Sequence, residues 1–418
     1  MVAEWREVSL GDLFKVKHGF AFKGEHFTDE PQKTVLVTPG NFAIGGGFKD
    51  DKRKYYRGPV PQDYVLKPEQ VVVTMTDLSK ESDTLGYAAS IPKDEMTWLH
   101  NQRVGLLEFN PDVPTSPRFV QYLLRTHEYR SWVVGSATGT TVKHTSPGRI
   151  ESFVTRTPPF EEQCAIARIL GALDDKINLN RHMNQTLEAM ACCLFRSWFV
   201  DFDGVPPEDM QESELGLIPN GWRATPLDSI ANYLNGLALQ KFPPDSETEF
   251  LPVIKIAQLR AGNTKSADKA SIRLKREYIV EDGDVLFSWS GSLEVEVWTG
   301  GRGALNQHLF KVTSDLVPKW FYYFATRQHL PDFRIIAAGK ATTMGHIQRK
   351  HLTDAKIAVP PPDLMDKFDS TIAPLFEQII NNALQAKTFA QLRDTLLPKL
   401  ISGELRIRDA ERFLGEAT

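Results

Sequence analysis

Apolar residues recur at spacings of three and four along two stretches of this chain, and in shorter, broken runs elsewhere. Ile166, Leu170, Leu173, Ile177, Leu187, Met190, Leu194 and Trp198 form the first stripe; Phe368, Ile372, Leu375, Ile379, Phe389, Leu392, Leu396 and Leu400 form the second. Such spacing marks one face of an α-helix that must be covered. The offset between the stripes is constant at 202 (368 minus 166; 400 minus 198), and the polar interruption is kept, since Asn180 corresponds to Asn382. An Asn in a helix seam costs stability while fixing register. Each stripe predicts a long helix, covered either by the other helix or by its own domain. The first seam spans about 50 Å at ~1.5 Å per residue. Pro374 falls inside the second pattern, where it removes a backbone donor and crowds the carbonyl of Ser370, so a kink or restart is expected there.

The remaining segments have a different texture. Val71-Val72-Val73 and Val104–Phe109 read as strands and residues 118–129 as a short helix, between turn signals such as Pro39-Gly40-Asn41, Gly45-Gly46-Gly47 and Pro111-Asp112. Residues 218 to about 358 repeat this, with strands at Val285–Ser288 and 309–312 and a helix at 320–327. The correspondence extends to sequence: Trp5, 64–74, Asn101-Gln102, 119–124 and Pro158-Pro159 reappear in order as Trp222, 278–288, Asn306-Gln307, 321–326 and Pro361-Pro362. The pattern predicts a tandem duplication. Each copy is an α+β globular segment followed by one long helix, and a two-fold relation between copies would run the helices antiparallel.

Composition narrows the function. A chain of 418 residues with 41% hydrophobic content can bury two ordinary cores. No run of about 18 apolar residues exists, and residues 1–10 carry charges where a signal peptide needs an apolar stretch. A soluble, cytoplasmic protein is expected. Cys164, Cys192 and Cys193 all lie in one helical pattern, which suits neither a disulfide framework nor a zinc site, and they read as small buried residues. A net charge of -4 argues against a free-standing nucleic-acid binder, because phosphate neutralisation normally leaves a basic chain. Any DNA contact must then be local or shared with a partner. Residues 49–57 (K-D-D-K-R-K-Y-Y-R) and 269–276 (K-A-S-I-R-L-K-R) are basic, and each reads either as such a contact or as a solvated strand edge.

Catalytic signals are thin. The chain has no Gly-x-Ser-x-Gly, Walker loop or His-Glu-x-x-His, and its histidines show no metal-ligand spacing. Thr157-Pro158-Pro159-Phe160 is similar to the Asn/Asp-Pro-Pro-Tyr/Phe loop of amino-methyltransferases, but Thr replaces the group that would polarise the exocyclic amine. A stiff hinge before the helix is the simpler reading.

Pro158-Pro159-Phe160-Glu161-Glu162-Gln163-Cys164-Ala165-Ile166, Arg196 to Phe202 (R-S-W-F-V-D-F) and residues 397–405 (L-P-K-L-I-S-G-E-L) resemble the conserved regions of the DNA-specificity subunit of Type I restriction-modification systems. The resemblance covers essentially the whole chain, although Asp363-Leu364-Met365-Asp366 departs from Glu161-Glu162-Gln163 at the start of the second helix. It implies two pseudo-symmetric target-recognition domains, residues 1–157 and 218–360, joined by two long antiparallel coiled-coil helices at 158–203 and 361–405. A linker at 204–217 and a tail at 406–418 complete the division. Each domain would read one half of a bipartite, asymmetric double-stranded DNA site, with the helices setting the gap. Two methyltransferase (modification) subunits, holding S-adenosylmethionine, and restriction/translocase subunits, using ATP and magnesium, are the implied partners; no cofactor is implied in this chain.

Under that resemblance the repeats nominate contact residues. Thr140, Thr141 and His144 correspond to Thr342, Thr343 and His346, with Lys143 and Lys340 close by. Hydroxyls and lysines suit phosphate contacts, although a β-turn tied by threonine side chains is the structural alternative. Residues 18–26, 40–57 and 235–241 are polar and glycine-rich, and within them Lys23, Asn41, Lys49, Lys52, Arg53, Lys54, Tyr55, Asn235 and Lys241 are candidates for base or backbone contact. Ser290, in the polar turn Ser288-Trp289-Ser290-Gly291-Ser292, joins them.

Overall fold

The computed structural model describes residues 5–77, 79, 82–139, 142–339, 345–410 and 412. Its long-range contacts divide the chain into two units, Met1–Lys176 with Phe389–Thr418, and Ile177–Thr388. Both boundaries fall inside the long helices Phe160–Arg196 and Pro362–Ser402, so each unit holds part of both.

In the first unit an antiparallel sheet runs in the order Phe14–His18, Val104–Phe109, Val71–Thr74, Ala88–Ser90. A second sheet has the order Phe27–Thr28, Lys54–Tyr56, Thr34–Val37, Thr97–His100, the last two strands parallel. The Val71-Val72-Val73 run explains how they share a core. Val71 and Val73 face a cluster with Phe119, Leu123 and Leu170, whereas Val72 faces one with Val35, Trp98 and Leu106. A strand buried on both faces is uniformly apolar rather than alternating. Arg6–Ser9 pairs with Val154–Thr157 and closes the domain just ahead of the long helix.

The second unit repeats this plan. Asn232–Asn235, Leu309–Thr313, Val285–Ser288 and Val295–Val297 form the same strand order, and Arg223–Pro226 pairs with Lys356–Val359 as the closing ladder. Leu251–Ile254 lies parallel to Gly303–Leu305, as Thr34–Val37 does to Thr97–His100. The fold is therefore α+β and duplicated, as the sequence predicts. The expected helix at 118–129 is instead two, Pro117–Leu123 and His127–Gly135. Thr126 interrupts it, its hydroxyl and backbone N–H both donating to Leu123 O.

The long helices are antiparallel within each unit. In the first, Asp174 meets Arg393 and Lys176 lies over Phe389; in the second, Asn184 meets Ile379 O and Trp198 stacks near Phe368. As one number rises the other falls. The apolar faces cover each other and the globular domain together: Ile166, Leu170 and Leu173 join Leu396, Leu400 and Phe119, while Phe195 joins Ile372, Phe376 and Phe324. Ile177 is buried, and Leu187, Leu194, Leu375, Ile379 and Phe389 are half-buried. Asn180 and Asn382 are buried in the seam: the Asn180 amide donates to Asn382 O (3.3 Å) and the Asn382 amide to Asn184 Oδ1 (2.9 Å).

Three expectations fail here. Met190 is 49% exposed and its neighbour Ala191 is fully buried, because Phe195 and Phe199 turn the first helix toward the second domain. All three cysteines are exposed, on faces that neither partner covers. The second helix does not restart at Pro374 but continues through it, and the exposed position leaves the freed Ser370 carbonyl to solvent. By contrast, the departure at the start of that helix has a structural reason. Gln163 is buried and accepts from the Ser116 N–H (3.0 Å). At an offset of 202 these positions are Met365 and Pro318; a proline has no N–H to satisfy, so buried Met365 suffices.

Charged clamps tie domain to helix. In the first unit Asp174 accepts from Tyr122 OH (2.8 Å), Arg125 Nη1 (2.9 Å) and Arg393 Nη1 (2.6 Å). Burial alone would raise the Asp174 carboxyl, but Arg125 and Arg393 outweigh it and hold it below the ordinary aspartate value. In the second unit Arg327, the counterpart of Arg125, pairs with Glu188 and with Tyr323 OH instead.

Candidate nucleic-acid interface

The two units carry the same loop cluster at one end of the main sheet. In the first, the Phe20 N–H donates to His100 O (2.8 Å), Gln102 N–H to Phe20 O (3.0 Å), Met75 N–H to Arg103 O (3.0 Å) and Thr145 N–H to Met75 O (3.0 Å). In the second, Leu237 N–H donates to Leu305 O (3.0 Å), Gln307 N–H to Leu237 O (2.9 Å), Trp289 N–H to His308 O (3.3 Å) and Ile347 N–H to Trp289 O (3.0 Å). These bonds correspond one for one. The buried Asn101 and Asn306 close the same turn, their side-chain oxygens accepting from Arg103 N–H (3.0 Å) and His308 N–H (3.2 Å). Glycine is required beside it: a Cβ on Gly19 would sit 2.1 Å from Asn101 O, and one on Gly236 2.3 Å from Asn306 O.

On this shared frame the side chains differ. Gln102 and Arg103 are exposed, and their side chains make no hydrogen bond or ion pair among the described residues. Gln307 and His308 are half-buried, and the His308 Nδ1 lies 2.9 Å from Ser290 Oγ. His144 Nδ1 lies 3.1 Å from Thr76 Oγ1, while half-buried His346 bridges to Ser290 beside Trp289. Beneath the first cluster Asp77 accepts from the Ser79, Thr84 and Leu85 N–H groups; burial alone would raise its carboxyl, but the hydrogen bonds from Ser79 and Thr84 outweigh it and hold it low. Burial pushes the His100 imidazole down to about 4, so it is neutral and bonds Val104 O (2.8 Å).

The nominated residues fare unevenly. Lys23 is exposed beside Glu25, and Asn235 is exposed, accepting from Trp289 Nε1 (2.9 Å). Lys52 and Lys241 are exposed, and Lys143 pairs across a short ladder with Asp77. Much of the 49–57 charge is locally balanced: Lys49 with Asp51 (2.9 Å), Arg53 with Asp50, Lys54 with Asp29 (3.4 Å) and Arg57 with Glu30 (3.5 Å). Tyr55 is half-buried against the Trp98 cluster. Two nominations are corrected. Asn41 is fully buried, its amide donating to Lys49 O and Lys52 O and its oxygen accepting from Thr38, so its hydrogen bonds hold the loop rather than a base. Ser290 is likewise buried and engaged by His308. Thr140, Thr141, Lys340, Thr342 and Thr343 lie outside the described residues.

Sequence reasoning missed Thr76, Gln102, Arg103, Trp289, Gln307 and His308 as candidate site residues. The retained Asn-Gln pair was the signal: a duplicated polar dipeptide flanked by buried strands has a reason to persist. The Thr157 to Phe160 run shows no base-gripping geometry, since Thr157 is fully buried in the closing ladder and Gln163 Nε2 donates to Pro158 O (2.9 Å). Among the described residues no helix is long and apolar enough to cross a membrane.

Comparison with known proteins bears on this duplicated architecture. The sequence profile of the Type I restriction modification DNA specificity domain matches residues 3–189 and 219–393. The chain is 28% identical over 335 residues to the Type I restriction enzyme MjaIX specificity subunit of Methanocaldococcus jannaschii, covering 78% of this chain and 76% of that protein. It is 24% identical to the HindI specificity subunit of Haemophilus influenzae, covering 97% and 100%. Its fold matches the crystal structure of a Type I restriction-modification system S subunit from M. genitalium with a TM-score of 0.61 at 15% identity, over 95% of this chain and 96% of that one. With two matched copies spanning most of its length, the chain belongs to the Type I restriction-modification DNA-specificity family.

Proposed function

We propose that this chain is a non-catalytic specificity subunit that recognises a bipartite, asymmetric double-stranded DNA site through its two loop clusters. The observation carrying this reading is one backbone frame, repeated bond for bond, that presents Gln102 and Arg103 in one unit and Gln307 and His308 in the other. Equal frames with unequal side chains suit two half-sites of different sequence. Residues 1–157 and 218–360 are the two recognition domains, and the helical segments 158–203 and 361–405 set the unspecified gap. Adenine methylation and cleavage then reside in partners: two modification subunits holding S-adenosylmethionine, and restriction/translocase subunits using ATP and magnesium. Lys23, Lys52, Lys143, His144, Asn235 and Lys241 supply backbone contacts around the clusters. The net charge of -4 fits if those partners provide much of the positive surface around DNA.

The test is a domain exchange. Replacing residues 1–157 with the matching domain of a family member of different specificity, in complex with the methyltransferase partner, changes one half of the methylated site and leaves the other half and the gap intact. A change in both halves contradicts the modular reading.

A further inference from the structure

We infer that Arg103 is a specificity-determining residue that reads a guanine in the half-site of the first unit. This rests on the proposed DNA-recognition role and assigns one side chain within it. Three features together mark out Arg103. Its backbone is fixed on both sides, the N–H by Asn101 Oδ1 (3.0 Å) and the carbonyl by Met75 N–H (3.0 Å). The turn that carries it is locked from below by Gly19, whose approach to the Asn101 carbonyl leaves no room for a Cβ. Its guanidinium is exposed and makes no ion pair among the described residues, whereas Lys49, Arg53, Lys54 and Arg57 each face a carboxylate.

A planar fork on a rigid turn suits bidentate donation to guanine O6 and N7, the geometry that distinguishes guanine from other bases in the major groove. A flexible phosphate contact needs no such fixation. The second unit shows what replaces it. At the matching position His308 is drawn back by Ser290 Oγ, and Trp289 and Asn235 are bonded to each other beside it. The same frame therefore presents a bidentate cation in one unit and a tethered imidazole in the other, which makes the half-sites chemically unlike.

The experiment uses the complex of the full chain with its methyltransferase partner, on labelled duplexes carrying the wild-type methylation motif. Replacing the guanine assigned to the first unit weakens binding of the wild-type complex roughly 10- to 100-fold, the range for a lost bidentate contact. With Arg103→Ala the same base change has almost no further effect, and the methylated motif becomes degenerate at that single position. Arg103→Lys, which keeps the charge without the fork, behaves like Arg103→Ala toward that base and serves if the alanine variant fails to assemble. Three results overturn the inference while leaving the recognition role standing: a first half-site without guanine, an unchanged penalty for the guanine replacement in both variants, or a uniform weakening on all duplexes with a shallower salt dependence, which marks a phosphate contact. Failure of the wild-type complex to prefer any motif would instead remove the recognition role itself.

Discussion

Removing the Asp174 carboxylate should destabilise the first unit far more than removing its neighbour. Asp174 gathers Tyr122 OH, Arg125 and Arg393, and the side chains are 16% (Asp174), 7% (Arg125) and 18% (Arg393) exposed. Asp174→Ala leaves two guanidinium groups without their shared counter-ion in a nearly dry setting. Breaking a buried pair costs about 3–5 kcal/mol, and the residual solvent access puts this case near 3. For a unit of this size about 1 kcal/mol corresponds to roughly 2–4 °C of melting temperature, so a fall of roughly 6–12 °C is expected. Asp175 provides the control, because its pair with Arg118 is 66% and 48% exposed, and such pairs contribute at most about 1 kcal/mol. The pH dependence follows in sign. The folded carboxyl lies below its ordinary value of 3.8, so its stabilisation is present above that value and is lost only as pH falls below it. The gap between wild type and Asp174→Ala, followed by thermal melts with near-ultraviolet circular dichroism, therefore stays constant from about pH 8 to 5. Equal melting of Asp174→Ala and Asp175→Ala, or a gap that closes between pH 8 and 6, would show that Asp174 does not act as the shared counter-ion.

Other outcomes follow from the same geometry. Gly19→Ala and Gly236→Ala displace the Asn-Gln turns and each weakens reading of its own half-site, whereas Gly24→Ala, with nothing within 4 Å of its added Cβ, leaves the methylated motif unchanged; motif mapping of the three variants decides this. Asn382→Ala removes the bonds to Asn184 Oδ1 (2.9 Å) and from Gln378 Nε2 (2.7 Å) and costs about 1–3 kcal/mol in urea unfolding, and a cost under about 0.5 would show that the polar seam contributes only register. Deleting one heptad from each long helix shortens the pair by about 10 Å at ~1.5 Å per residue. The gap between half-sites then narrows by about three base pairs with the bases read unchanged. The three cysteines react with a thiol reagent in the folded chain without denaturant, and protection of any of them there contradicts the exposed faces described above.

Periodicity made most of the architecture legible. The duplicated strands, the matched stripes and the Asn180 and Asn382 interruptions all depend on spacing, which a sequence displays directly. What it does not display is which side of a helix the domain covers. Met190 continues the stripe by number, but the rings of Phe195 and Phe199 rotate the buried face onto Ala191, and the cysteines fall on the uncovered side. Pro374 violates helix propensity and is nonetheless accommodated at an exposed position of a helix anchored by tertiary packing on both sides. The candidate site was harder for a related reason. Asn41 and Ser290 have the residue types of a recognition surface, yet their hydrogen-bonding capacity is spent inside the loops they brace. Gln102 and Arg103 look no different in composition, and only the bonds of their flanking backbone, and for Arg103 the lack of an ion pair among the described residues, mark them out.

Expressing this chain with its methyltransferase partner in a methylation-free host and mapping adenine methylation across the genome would show whether the chain confers sequence recognition. The expected result is a single asymmetric motif of two short halves with a fixed gap, absent when this chain is omitted. Co-purification of the two proteins with no methylated motif would contradict DNA recognition by this chain.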